Sequence, residues 1–118
     1  MTKFFTIFLC SLILALSCKK ESTQRSSVLK QLHTQYKDGE IDQATYQGEM
    51  VYVTGINAYD SSTSIYDKNG NVIGGCDYSY GLIDPICYEL SEQKVIYRCE
   101  NHLSGKPPVD IFKLHSNY

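Results

Sequence analysis

Thr63-Ser64-Ile65-Tyr66-Asp67-Lys68-Asn69-Gly70-Asn71-Val72-Ile73 is the stretch that decides the fold. Ile65, Tyr66, Val72 and Ile73 are β-branched or aromatic, and Asn69-Gly70 supplies the left-handed backbone that a tight hairpin loop requires. Two antiparallel strands joined through 67–71 follow from this pattern. Asp67, Asn69 and Asn71 also place side-chain oxygens at alternate positions, as the start of a calcium loop does. That loop needs glycine at its sixth position and glutamate at its twelfth, where this chain has Val72 and Tyr78. The stretch is therefore a turn, and no metal site is expected.

Towards the N-terminus, Met50-Val51-Tyr52-Val53-Thr54 carries apolar bulk on both alternating faces, which suits the middle of a sheet. Gln47-Gly48-Glu49 turns it back onto a short strand, Ile41 to Tyr46. Val28, Leu29, Leu32 and Tyr36 recur at three to four residue intervals, predicting a short amphipathic helix with Ser26 or Ser27 as its N-cap and an end near Asp38-Gly39. Three turns are marginal alone, so this helix must pack on the sheet. Towards the C-terminus, Gly74-Gly75-Cys76 closes the hairpin and Asp77 to Asp84 forms a loop. Ile86 to Leu90 is a short element, and Lys94 to Cys99 alternates as a strand. Gly105-Lys106-Pro107-Pro108 is a connection, and Val109 to Leu114 is a last edge strand. The fold class expected is α+β, a short N-terminal helix packed on a small antiparallel β-sheet or meander. Residues 28–118 are enough for one core and one domain.

The N-terminus carries a different message. Lys3 precedes an apolar run from Phe4 to Leu16, which stops at Ser17-Cys18 and the polar stretch KKESTQRSS. As a helix that run spans roughly 20 Å, short of a hydrocarbon core of about 30 Å. Leu14, Ala15, Leu16, Ser17 and Cys18 resemble the lipobox of bacterial lipoproteins. The resemblance implies that 1–17 is a signal peptide removed in the mature chain. Cys18 then becomes its first residue, lipidated through a diacylglyceryl thioether and an N-acyl group of the palmitate kind, and 18–27 is a lipidated tether. Ordinary secretion with cleavage nearby is the alternative. Lys19 directly after Cys18 looks like an outer-membrane address, so the localisation expected is the bacterial cell envelope, lipid-anchored at the outer membrane.

A second resemblance rests on YQGEMVYV and SIYDKNGNVIGGC. Tyr66, Asp67, Asn69, Gly70, Asn71, Val72 and Ile73 are similar to a YDxNGNVI hairpin found in small Bacteroidetes-type bacterial lipoproteins. That group brings no activity to transfer.

Charge excludes one large class of partners. Loss of the signal leaves 10 basic against 13 acidic residues, and from Ser26 onward the balance is 7 against 12. A nucleic-acid binder needs a basic face, and none can be assembled here. Once Cys10 leaves with the signal and Cys18 is acylated, Cys76, Cys87 and Cys99 remain in an oxidising compartment. One intramolecular disulfide is expected with one cysteine left over, buried or bridging to another chain. Cys87 with either neighbour is preferred to Cys76 with Cys99. These spacings fit no compact zinc pair.

Catalytic signatures are lacking. Cys99 and His102 are close in sequence, but a cysteine in this compartment is expected to be bridged or buried. Asp77 with Asp84 and Glu89 with Glu92 are at ordinary surface spacing. No catalytic residue, cofactor or enzyme activity is assigned. Tyrosine is the remaining signal, with 10 in the chain and no tryptophan. Those near strands, such as Tyr46, Tyr52, Tyr66, Tyr88 and Tyr97, are explained by cross-strand packing. Tyr59, Tyr78 and Tyr80 fall in loops, where such rings suit recognition of a protein or glycan. The binding residues expected are Tyr59, Asp77, Tyr78, Tyr80 and Asp84. The function expected is a non-enzymatic envelope lipoprotein that binds a protein or glycan, inhibition being one form of that role, with a self-associating structural component as the alternative.

Overall fold

The computed structural model describes residue 20 and residues 22–115. The apolar run Phe4 to Leu16, Ser17 and Cys18 lie outside them. One helix, α1 (22–36), is followed by seven strands. These are β1 (Glu40–Tyr46), β2 (Glu49–Gly55), β3 (Thr63–Asp67), β4 (Val72–Asp77), β5 (Leu82–Ile83), β6 (Ser91–Arg98) and β7 (Val109–Asp110), with a single 3₁₀ turn at Pro85–Tyr88 between β5 and β6. All pairings are antiparallel, in the order β5-β4-β3-β2-β1-β6-β7. The fold is α+β, with the helix packed on one face of the sheet. β2 occupies the centre, as its two apolar faces require.

The first hairpin is closed by Gln47 and Gly48, at φ 50° and 77°. Two consecutive positive φ values match the right-handed twist of the strands they join. In the second hairpin the Asp67 carboxylate accepts the N–H groups of Asn69 and Asn71, both at 2.9 Å. Those oxygens are spent on holding the turn.

Strand alternation then divides the core in two. On one face Val28, Leu29, Leu32 and Tyr36 of α1 cover Ile41, Tyr52, Tyr66, Ile96 and Tyr97, with Cys99 and Leu114 in the same cluster. On the other, Ala44, Val51, Val53, Ile65, Cys76 and Ile86 form a second, smaller cluster. Ile96 and Tyr97 are sequence neighbours in one cluster because β6 bulges there. Ile41 is opposite Tyr97 and Asp42 opposite Val95, so Ile96 is the extra residue and the alternation slips by one. A second register shift lies opposite Gln43 to Thr45, where Glu92 takes φ 53°.

Four details differ from the sequence reading. The helix begins within the segment assigned to the tether, so Ser26 and Ser27 lie inside it rather than capping it. A hydrogen bond from the Gln24 amide to Asn69 ties its first turns to the β3–β4 loop. The loop Asp77 to Asp84 contains the two-residue strand β5, and β4 runs on through Gly74-Gly75-Cys76. The last strand stops after two residues, because the Asp110 carboxylate accepts the N–H groups of Leu114 and His115 at 2.7 and 3.0 Å. The resulting turn places Leu114 in the core.

Gly39 ends the helical segment for a steric reason. A Cβ there would lie 2.1 Å from the Gly55 carbonyl oxygen. The chain crosses the end of β2 so closely that no side chain fits.

Two buried tyrosines under α1 differ in their hydrogen bonding. The Tyr66 hydroxyl lies 2.9 Å from that of Tyr36, and burial, with the Tyr36 hydrogen bond and charge, pushes its pKa up to about 12. The hydroxyl of fully buried Tyr52 has no hydrogen-bond partner among the described residues. An unmet buried hydroxyl is a standing cost, whereas removing half of a met pair creates one. Tyr52→Phe is expected to raise unfolding stability by about 1 kcal/mol and Tyr66→Phe to lower it by about 1 kcal/mol. Urea unfolding of the two variants checks this. A loss in both would mean that Tyr52 is hydrogen-bonded.

Candidate functional site

The face of the sheet away from α1 carries an open cleft of about 400 Å³. Its floor is Glu40 and Asp42 of β1 with Val53 of β2, and one wall is the 56–61 loop through Ile56 and Ser61. The opposite wall is the Cys76–Cys87 disulfide with Tyr78 and Leu90, while Gln93 and His102 close one end. Alternation accounts for the floor. Ile41 turns to the helix side, so its neighbours Glu40 and Asp42 must both turn to the other.

The two carboxyls are differently supported. Arg98, opposite Glu40 in the β1–β6 register, donates from Nε to Glu40 Oε2 at 2.8 Å and from Nη1 to the Pro107 carbonyl at 3.1 Å. His102 Nε2 lies 3.9 Å from the same Glu40 oxygen, and its Nδ1 is 2.8 Å from Ser104 Oγ. Asp42 is 9% exposed. Its Oδ2 accepts from Gln93 Nε2 at 2.8 Å, and its buried Oδ1 receives no donor.

Protonation follows from this arrangement. Burial, then the hydrogen bond with Glu40 and its charge, push the Asp42 carboxyl up to about 7, against Gln93 and Arg98. Burial also works against the Glu40 carboxylate, but the hydrogen bond from Asp42, the hydrogen bond and charge of Arg98, and His102 hold it below its ordinary value. Below about pH 7 the pair thus keeps one proton, on Asp42, and one negative charge, on Glu40. Arg98 balances that charge, so the floor is rich in donors and acceptors and close to electrically neutral.

Cys99, the free thiol among the described residues, is buried in the helix-side core, and burial raises its pKa. A thiol held protonated is a poor nucleophile.

The residues nominated from the sequence scatter. Tyr78 lines the cleft and is 65% exposed. Tyr59 and Tyr80 are 82% and 81% exposed, on the loop and turn that flank it. Asp77 and Asp84 are engaged in structure. Asp77 accepts the Tyr80 N–H at 3.3 Å, and Asp84 accepts the Gly75 N–H at 2.8 Å while its own N–H donates to the Gly75 carbonyl at 3.1 Å. Asp84 thereby pairs with β4 as a strand residue would.

Glu40, Asp42, Gln93, Arg98 and His102 were not legible as a group. Their one sequence signal is Glu40-Ile41-Asp42, two acids at alternate positions beside an obligate core residue. The disulfide joins Cys76 and Cys87, 11 residues apart. Lipidation at Cys18 falls outside the described residues. Among the described residues no three His, Cys, Asp or Glu side chains gather as a metal site requires, and no helix is long and apolar enough to cross a membrane. Comparison with protein-family models, curated proteins and solved structures finds no match.

Asp42 makes stability depend on pH with a definite sign. Its folded pKa, about 7, lies above its ordinary value of 3.8. The proton that it retains therefore stabilises the fold fully below pH 4, and that contribution is lost as pH rises through 7. Asp42→Asn is neutral throughout and can donate to Glu40 as the protonated acid does. Its unfolding free energy is expected to match the parent near pH 4 and exceed it by about 4 kcal/mol at pH 8, read by urea titration at both. Replacing both Cys76 and Cys87 by alanine is expected to cost about 3 kcal/mol from the loop closed. The thermal midpoint of that variant checks this, and it should be insensitive to added reductant.

Proposed function

We propose that this chain is a non-enzymatic lipoprotein of the bacterial cell envelope, anchored through acylated Cys18 at the outer membrane, which binds a glycan or a protein on the helix-free face of its sheet. The observation that carries the reading is the cleft itself. Buried polar groups floor it, an exposed tyrosine rims it, and about 400 Å³ falls within the roughly 300–1,000 Å³ of ligand pockets.

Several features support the envelope part of this reading. The apolar run before Cys18 has the length of an export signal, and a disulfide belongs to an oxidising compartment. A non-enzymatic role is supported by the Cys99 thiol, which is buried in the helix-side core and has its pKa raised by that burial. Self-association as a structural component is the weaker reading, because the sheet ends at both edges in two-residue strands, which offer little backbone for another chain to extend.

Two measurements test this. In a bacterial host fed labelled fatty acid, the parent should incorporate label and fractionate with membranes, and Cys18→Ser should do neither. Against envelope extracts, the parent should retain a glycan or protein that the Tyr78→Ala, Tyr80→Ala double variant releases, while Tyr88→Ala retains it. Retention unaffected by the double variant would overturn the assignment of the surface.

A further inference from the structure

We infer that the cleft takes one sugar residue of an uncharged glycan, its hydroxyls meeting Glu40, Gln93 and His102 and its ring face lying against Tyr78. This rests on the reading above that the cleft is a binding surface, and it names the ligand.

Charge narrows the ligand first. The lining contains no lysine or arginine, so an anionic ligand would meet the Glu40 carboxylate with no cation in the lining to hold it. A cationic ligand would compete for Glu40 with Arg98, which is buried and bonded to it at 2.8 Å. Freeing a buried guanidinium from its partner is strongly unfavourable. Below about pH 7 Asp42 keeps its proton and adds no second negative charge to draw a cation in.

Polarity narrows it further. A wholly apolar ligand would cover Glu40, Gln93 and His102 without returning the hydrogen bonds that these groups have with water. A wholly polar ligand would waste the opposite surface, where Val53, Ile56, Leu90 and the disulfide present apolar area. A neutral sugar ring has both parts, with C–H faces for the wall and a hydroxyl edge for the polar end. Each hydroxyl can donate and accept at once. That suits a carboxylate that only accepts, beside an amide and an imidazole that can do either. Tyr78 supplies a large ring with few rotatable bonds at the rim. The cleft is open to solvent, so a chain can continue beyond the bound residue.

The test uses the full chain, purified in a zwitterionic detergent without a sugar headgroup and titrated calorimetrically. The probes are neutral gluco-, xylo- and manno-oligosaccharides, anionic oligogalacturonate and cationic chitosan oligomers. At least one neutral series should bind more tightly than either charged one. Tyr78→Ala should weaken that binding by about tenfold, Gln93→Ala should weaken it measurably, and Tyr88→Ala should leave it unchanged. Circular dichroism of each variant separates loss of binding from loss of fold. Preference for a charged oligosaccharide, indifference to Tyr78→Ala in a folded variant, or no binding by any neutral series overturns the inference. If a protein is retained from extracts through Tyr78 while no sugar binds, the inference falls and the binding reading stands. If neither is retained, both fall.

Discussion

Everything in this fold depends on β1 being paired on both sides. The strands from β2 to β5 follow one another in a local meander, but β6 comes from the far end of the chain and must return to the free side of β1. Two contacts fix that return at its end. The Cys99 N–H donates to the Gly39 carbonyl at 3.0 Å, and Arg98 binds Glu40 at 2.8 Å. The first sets backbone register and the second closes the pair with charge on the helix-free side. Because Arg98 is 7% exposed, the ion pair is partly shielded from the screening that weakens surface pairs, and removing Glu40 would strand the buried guanidinium.

The same constraint explains why half of the structure was readable beforehand. Local rules govern the second hairpin, the turn at Gln47-Gly48, the apolar centre of β2 and the packing stripe of α1, and all four lie where the sequence puts them. The bulges of β6 are invisible because they answer to the partner. Nothing in Lys94-Val95-Ile96-Tyr97 says that two neighbours will share a face until Ile41 is opposite them. The early start of α1 brings Gln24 into contact with Asn69, 45 residues away in sequence. The expected last strand was truncated by Asp110, a residue whose carboxylate competes with the ladder for backbone N–H groups.

The cleft was illegible for the same reason. Glu40 and Asp42 look like solvated charges on a strand edge, and only the arrival of β6 with Arg98 and Gln93 turns them into a partly desolvated, proton-sharing pair. Tyr78, legible as an exposed aromatic in a loop, lines the cleft, whereas the polar groups of its floor belong to the sheet itself and depend on pairings that no local pattern announces. Asp77 and Asp84, nominated as acids beside those tyrosines, are instead occupied by backbone amides.

The contact between Gln24 and Asn69 has a geometric consequence for the anchoring proposed at Cys18. Helical structure begins so soon after residue 18 that the intervening chain, fully extended, reaches only about 14 Å. A lipid on Cys18, as proposed, would leave a short leash, and the body attached to it would stand against the bilayer instead of sampling the space above it. A ligand of the open face would then have to come within one domain's breadth of the lipid headgroups, which would make the membrane surface itself part of the selection.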